Sequence, residues 1–333
     1  MRILIRLLLI VVFGFAVMLG YVSTTERGLK QLWLVLETRL PIGFSVGNVE
    51  GRLIGPLTVT GLKIRHDTFN LDLNRAELDW TPTRLLSGVL KVDRLMLDGI
   101  HYTAHEESSA QASDSKGMPE SFTLPVTLDL EQLRVRNLAV VAASGGEPVM
   151  VSQGDISVLF RDSVLEIRKV AVQSGLFQIE GSGGLKTVED YPVEAAFDWR
   201  LSPPEYAEIQ GRTELSGTLK RLLVTQTFNE TYPLSGEFAL NDLLVAPNLE
   251  AKVSVDGLVL QAVNDDLPAI SLHADIRADG PLDTLALSGS LDIDSEPLPT
   301  VHANVQAELS AAGVEFKSLQ LTVPAHETDV RIS

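Results

Sequence analysis

The 333-residue sequence predicts a mainly β protein in which an N-terminal transmembrane helix precedes a long run of stacked antiparallel strands. Three observations carry that prediction. An uninterrupted apolar run near the N-terminus is suited to entering a bilayer, side-chain polarity alternates with a period of two from Phe44 onward, and nothing after Ser87 has the periodicity of a long helix. A hydrophobic content of 45% supports a sizeable core, which excludes disorder as the general state of the chain.

Residues 1–25 read as the anchor. Arg2 and Arg6 precede an uncharged stretch from Leu7 to Val22, in which Leu7, Phe13, Phe15, Leu19 and Val22 are typical members. Its eleven Leu, Ile, Val and Phe residues favour insertion by roughly 4–5 kcal/mol. A cleavable signal needs small residues after the run, whereas Tyr21, Val22 and Thr25 crowd those positions, so the segment is expected to stay attached. The two arginines place the N-terminus in the cytosol and export everything from Glu26 onward.

Residues 26–104 form the next expected unit, an amphipathic helix followed by β structure. Leu29, Leu32, Trp33, Leu36 and Leu40 recur at helical spacing before Pro41 ends the pattern. Thr81 to Ser87 reads as a short helix, with Thr81 as cap, Pro82 at the first helical position and Gly88 after the end. His105 to Ser121 is rich in Ser and polar residues without periodicity, which marks residues 105–121 as a flexible linker.

Residues 122–333 carry the clearest alternation. Val193, Ala195, Phe197 and Trp199 alternate with more polar neighbours, as do Ile270, Leu272, Ala274 and Ile276, and then Val301, Ala303, Val305, Ala307 and Leu309. Each is a strand with one dry and one wet face. Weaker copies occur at Leu165/Ile167, Phe177/Ile179, Val253/Val255, Leu258/Leu260, Leu291/Ile293, Val314/Phe316 and Leu319/Leu321. Gly183-Gly184, Pro203-Pro204, Asn264-Asp265-Asp266 and Gly280-Pro281 read as turns between them. About 20 strands at 4.8 Å spacing would extend on the order of 95 Å, so such a sheet must close, split into a sandwich or coil as a solenoid. A recurrence favours the solenoid: Gly217, Leu219, Leu222 and Val224 share their spacing with Gly280, Leu282, Leu285 and Leu287, and Gly51 opens a looser copy.

Composition removes most function classes. With no cysteine there is no disulfide, thiolate metal site or thiol nucleophile. The net charge of -17 divides into +5 over residues 1–65 and -22 over the remainder. An acidic body without a basic stripe argues against nucleic acid. His101 and His105 are the one close histidine pair, but a spacing of four converges on a helix and not on a strand leading into a linker. Asp292 and Asp294 lack the glycine and distal glutamate of a calcium loop. There is no nucleophile elbow or phosphate-binding loop, and Lys186 takes the last glycine position of the nearest dinucleotide-type string. Three Trp and five Tyr are too few for the aromatic platforms of a polysaccharide-cleaving solenoid. The expectation is a protein with no catalytic activity, no cofactor and no metal.

Between Phe44 and Tyr102 four strings stand in order: E-G-x-L-x-G-P-L from Glu50 to Leu57, L-D-W-x-P from Leu78 to Pro82, L-L-x-G-x-L from Leu85 to Leu90, and L-x-L-D-G from Leu95 to Gly99. Together, and after an uncleaved anchor, they resemble the amino-terminal region of the TamB family. These are AsmA-like, bridge-like lipid-transfer proteins that form the inner-membrane part of the translocation and assembly module. The resemblance implies a β-taco-like groove that carries phospholipid acyl chains between the inner and outer membranes. It also implies an outer-membrane β-barrel partner of the TamA kind, engaged through a C-terminal region that this sequence does not contain. The β-groove of residues 122–333 is accordingly expected to be incomplete at its C-terminus. Val193, Phe197, Trp199, Ile270, Leu272, Ile276, Val301, Val305, Leu319 and Leu321 are the candidates to line the groove. Two alternatives stay open: the same faces can pack on each other as a sandwich core, and the family role can be that of a scaffold or chaperone for barrel insertion or autotransporter secretion.

Overall fold

The computed structural model describes residues 43–105, 123–323 and 330–332, with the exception of 53, 67, 144–145, 244, 296–297 and 311–312. The expected anchor, the amphipathic helix at 26–40 and all of the linker but His105 lie outside the described residues. Among the described residues no helix is long and apolar enough to cross a membrane. The described chain contains nineteen strands, one 3-10 turn at Pro82–Ser87 and a four-residue helix at Leu260–Val263. It divides into two units, one holding residues 43–105, 124–162 and 167–175, the other 163–166 and most of the chain from 176 onward.

In the first unit, β1 (Gly43–Ser45) and β2 (Asn48–Gly51) both pair with β3 (Leu57–Arg65), which pairs in turn with β4 (Phe69–Thr81). The ladder continues through β5 (Val89–Ala104), β6 (Thr127–Val141) and β7 (Val149–Arg161). The β5–β6 pair is parallel; the other pairs of this unit are antiparallel. One buried cluster in it is Val49, Leu57 and Val59, with Val46, Leu62, Ala76 and Leu78 packed around them, and Leu73, Ile100, Ala139 and Phe160 are buried as well. β8 (Val164–Gln173) is divided between the units.

A crease crosses five consecutive strands of this unit. Dry positions run Leu57, Val59 and then Leu62, Ile64 on β3; Leu71, Leu73 and then Ala76, Leu78 on β4; Leu95, Leu97 and then Ile100, Tyr102 on β5. The same one-residue change of parity follows on β6 and β7. At the crease the pairing skips Gly61, Asn74, Gly99, Asn137 and Ser152, which are mutually opposite; β5 and β6 are irregular a second time, around Asp93 and around Glu131 and Gln132. Gly61, Gly99 and Asn137 have φ of 66°, 69° and 53°, values that a β-branched residue adopts only with strain. On β3, β5 and β6 a residue with left-handed backbone stands at the change of parity, and the extra residue keeps the apolar side chains on either side of it on one face.

In the second unit, β9 (Phe177–Lys186), β10 (Val193–Leu201), β11 (Ile209–Gly217), β12 (Arg221–Phe228) and β13 (Leu234–Asn241) form an antiparallel meander. It goes on through β14 (Asn248–Val259), β15 (Ser271–Pro281), β16 (Thr284–Ser295), β17 (Leu298–Ser310), β18 (Gly313–Thr322) and β19 (Val330–Ile332). Among the described residues no pairing joins β18 or β19 back to β9.

Four sequence expectations need correction. Gly183-Gly184 is not a turn but the middle of β9, where a side chain at Gly183 would lie 2.4 Å from the Ala195 Cβ. Thr81 does not cap the 3-10 turn, because its hydroxyl donates to Asp93 at 2.8 Å instead. Leu260 has left the strand pattern for a helical turn, and Ile270 precedes β15, its carbonyl accepting the Leu260 N–H at 2.9 Å. The Gly217 and Gly280 recurrence marks hairpin corners. Both glycines have positive φ, and a β-carbon would meet the carbonyl oxygen four residues on at 2.3 and 2.7 Å.

Candidate functional site

Cross-strand register decides whether one-sided strands make separate dry patches or one surface, because residues directly opposite share a face. In the second unit they make one surface. Gly183, Ala195, Leu215, Val224, Phe238, Ala251, Ala278, Leu287, Ala307 and Phe316 stand opposite one another in turn across the ten strands β9 to β18. No polar side chain interrupts that row.

The candidate residues fall into parallel rows on the same face. Phe197, Ile276, Val305 and Leu319 share one that also passes through Thr213, Gln226, Gly236, Val253 and Gly289. Leu272 and Val301 share another through Ile293, and Leu321 stands opposite Ala303 in a row that includes Leu291, Ala274 and Val255. Val193 lies between Leu185 and Gly217, and Trp199 between Ile179 and Gly211. Ile270 is flanking chain and joins no row. The sequence reading missed β11 to β13, where Leu215, Val224, Leu222, Phe238 and Leu240 supply the dry face. Their period of two is present, but Gly211, Thr213, Gln226 and Gly236 occupy dry positions and dilute it.

Among the described residues the face is not the inside of a filled core. Among the described residues of the second unit no Leu, Ile, Val or Phe is buried; Tyr191, Tyr232, Ala239, Ala303 and Ala307 are its buried apolar residues. Ile276 is 41% exposed and Phe316 64%. Close packing of two sheets would bury the large side chains of both inner faces.

Trp199 is held on this surface by packing and by a hydrogen bond. Its indole ring covers Gly211, where a β-carbon would lie 2.5 Å from Cζ2, and meets Phe228 edge-on with centroids 5.6 Å apart. Its Nε1 donates to the Thr213 hydroxyl at 3.1 Å, that hydroxyl donates to the Gln226 carbonyl oxygen, and the Gln226 amide donates to the Thr227 carbonyl at 3.0 Å. An indole N–H on an apolar surface needs such a partner.

The opposite face carries the charge. Arg212 pairs with Asp198 at 3.1 Å and Glu214 at 2.9 Å, and hydrogen bonds to those two carboxylates hold its guanidinium above the ordinary pKa. Asp256, His273, Asp292 and His302 stand opposite one another across β14 to β17, with His302 Nδ1 at 2.7 Å from Asp292 and His273 at 3.6 Å from Asp294. A shallow hollow of about 820 Å³ on this side is lined by Lys252, Arg277, Asn304 and Gln320 among others. Among the described residues no group of three or more His, Cys, Asp or Glu could hold a metal ion. His101 and His105 are both exposed.

In the first unit the wet face is tied by Arg134, whose guanidinium donates to Asp155 at 2.8 Å, and by Lys91 beside Glu131 at 2.8 Å. The hydrogen bond to Glu131 raises the Lys91 pKa.

A family model described as TamB, N-terminal domain, matches residues 15–141 and 104–332. No curated protein and no solved structure matches the chain.

Proposed function

Because the chain belongs to the family of TamB N-terminal domains, we propose that it is a non-catalytic protein of the bacterial cell envelope that supports outer-membrane biogenesis by holding phospholipid acyl chains on its apolar strand faces. It is anchored in the inner membrane by residues 1–25, with the bulk of the chain in the periplasm. The lipids it holds pass between the inner and outer membranes. The observation that carries the reading is an apolar row continuous over ten strands in which no large side chain is fully buried.

Each lipid CH₂ moved from water onto such a face gains about 0.8 kcal/mol. Affinity spread over many weak contacts needs no specific residue, which suits a carrier that must also release. A barrel partner of the TamA kind belongs to the same proposal, and a pull-down from envelope extracts tests it.

The decisive experiment places a photoreactive residue at Phe197 or Leu272 in the full chain, irradiates cells and examines the purified protein by mass spectrometry. Phospholipid adducts at both positions are expected. Their absence, together with no co-extracted phospholipid, overturns the lipid reading and leaves the scaffold role in barrel-protein insertion or secretion.

A further inference from the structure

The dry face of the second unit is not equally dry everywhere. Across β11 and β12 the row of Leu215 and Val224 is wholly apolar, while the neighbouring row carries Thr213 opposite Gln226. Beyond that pair, the Trp199 ring fills the slot over Gly211 and is edged by Phe228. Resting on the lipid-holding reading above, we propose that acyl chains cross these two strands in a lane over Leu215 and Val224 and the apolar Gly217–Leu222 row beside them, and that the Thr213–Gln226 pair is the polar boundary that keeps them off the Trp199 side.

The physical reason is desolvation. Both side chains are half-buried, and their oxygens are engaged with each other and with the Trp199 N–H. A carboxamide carries two N–H bonds, and the Gln226 bond to the Thr227 carbonyl accounts for one. A hydrocarbon chain laid over the pair removes water from these groups and returns no hydrogen bond. The same chain over Leu215 and Val224 covers only apolar surface. Trp199 acts as a positioning residue: packed over Gly211 and bonded to Thr213, it keeps the Thr213 hydroxyl turned toward Gln226.

The test uses the full chain in cells with a photoreactive residue at Val224, at Phe228 or at Leu272. Phospholipid adducts at Val224 should exceed those at Phe228 about tenfold, the ratio set by 1.4 kcal/mol of preference. Replacing the pair as Thr213→Val with Gln226→Leu should bring the ratio close to one. Gln226→Met, nearer in shape, should shift it the same way if the double variant does not fold. Equal labelling at Val224 and Phe228 in the wild-type sequence overturns the lane, as does labelling at Leu272 with neither of the others. No adduct at any of the three positions instead removes the lipid reading on which the lane rests.

Discussion

A β-carbon at position 217 would sit 2.3 Å from the Arg221 carbonyl oxygen, on a backbone whose φ is already 111°. Gly217→Ala should therefore cost about 1–3 kcal/mol, read as a lower melting temperature, whereas an alanine at Gly175, where a β-carbon meets nothing within 4 Å, should cost far less. The spacing shared by the stretches after Gly217 and Gly280 was legible in the sequence, but its meaning was not. Similarity between two stretches does not say whether a coil or a hairpin corner repeats, and the clash with a carbonyl four residues on is visible only in three dimensions. Asp155 gives a pH prediction. Burial pushes its pKa up, but hydrogen bonds from Arg134 and Gln153 and the charge of Arg134 outweigh that and leave it below the ordinary value. A carboxylate with a depressed folded-state pKa contributes stability above its unfolded value of about 4, and that contribution is lost as pH falls through the lower folded value. Urea midpoints measured from pH 7 down to about 2 should fall along an acid limb that is shallower in Asp155→Asn.

The strands show what alternation can and cannot reveal. β10, β15 and β17 were readable because Phe197, Ile276 and Val305 belong to unbroken alternations of dry and wet residues. β3 to β7 were harder, since each breaks its own parity at least once, and a rule of strict alternation stops at Gly61, Asn74, Gly99, Asn137 and Ser152. That these five breaks are one crease depends on register, which no single strand encodes. Asn137 tests the crease because it has a φ of 53° and its amide donates to Asp98 at 2.8 Å. Asn137→Gly keeps the backbone and loses the bond, at about 1 kcal/mol. Asn137→Val loses the bond and adds about 1–2 kcal/mol of left-handed strain, so its urea midpoint should fall clearly below that of the glycine variant. Equal midpoints would mean that the left-handed backbone of β6 relaxes at no cost and is not what sets the crease.

On the scale of the whole molecule, the same alternation that identifies a strand sorts the chemistry. Charges and imidazoles collect on wet faces, and aliphatic side chains line up across strands far apart in sequence. The sequence could say that each strand had a dry side, but not whether those sides covered one another, because a sandwich core and an open track have the same period. The half-exposed state of Ile276 and Phe316 separates the two. If continuity of the track is what matters, a single charge inside it should act differently from the same charge one strand over on the reverse face. Ala278 lies in the unbroken row between Ala251 and Leu287, while Ser288 is exposed on the wet side next to Leu287. Lysine at either site has room to reach water, so both Ala278→Lys and Ser288→Lys should fold. Ala278→Lys should lose most of its co-extracted phospholipid, since an ammonium among acyl chains must either be desolvated or displace them. Ser288→Lys should retain it. Equal retention by the two variants would show that lipid does not travel along this row, even if adducts still form at Phe197.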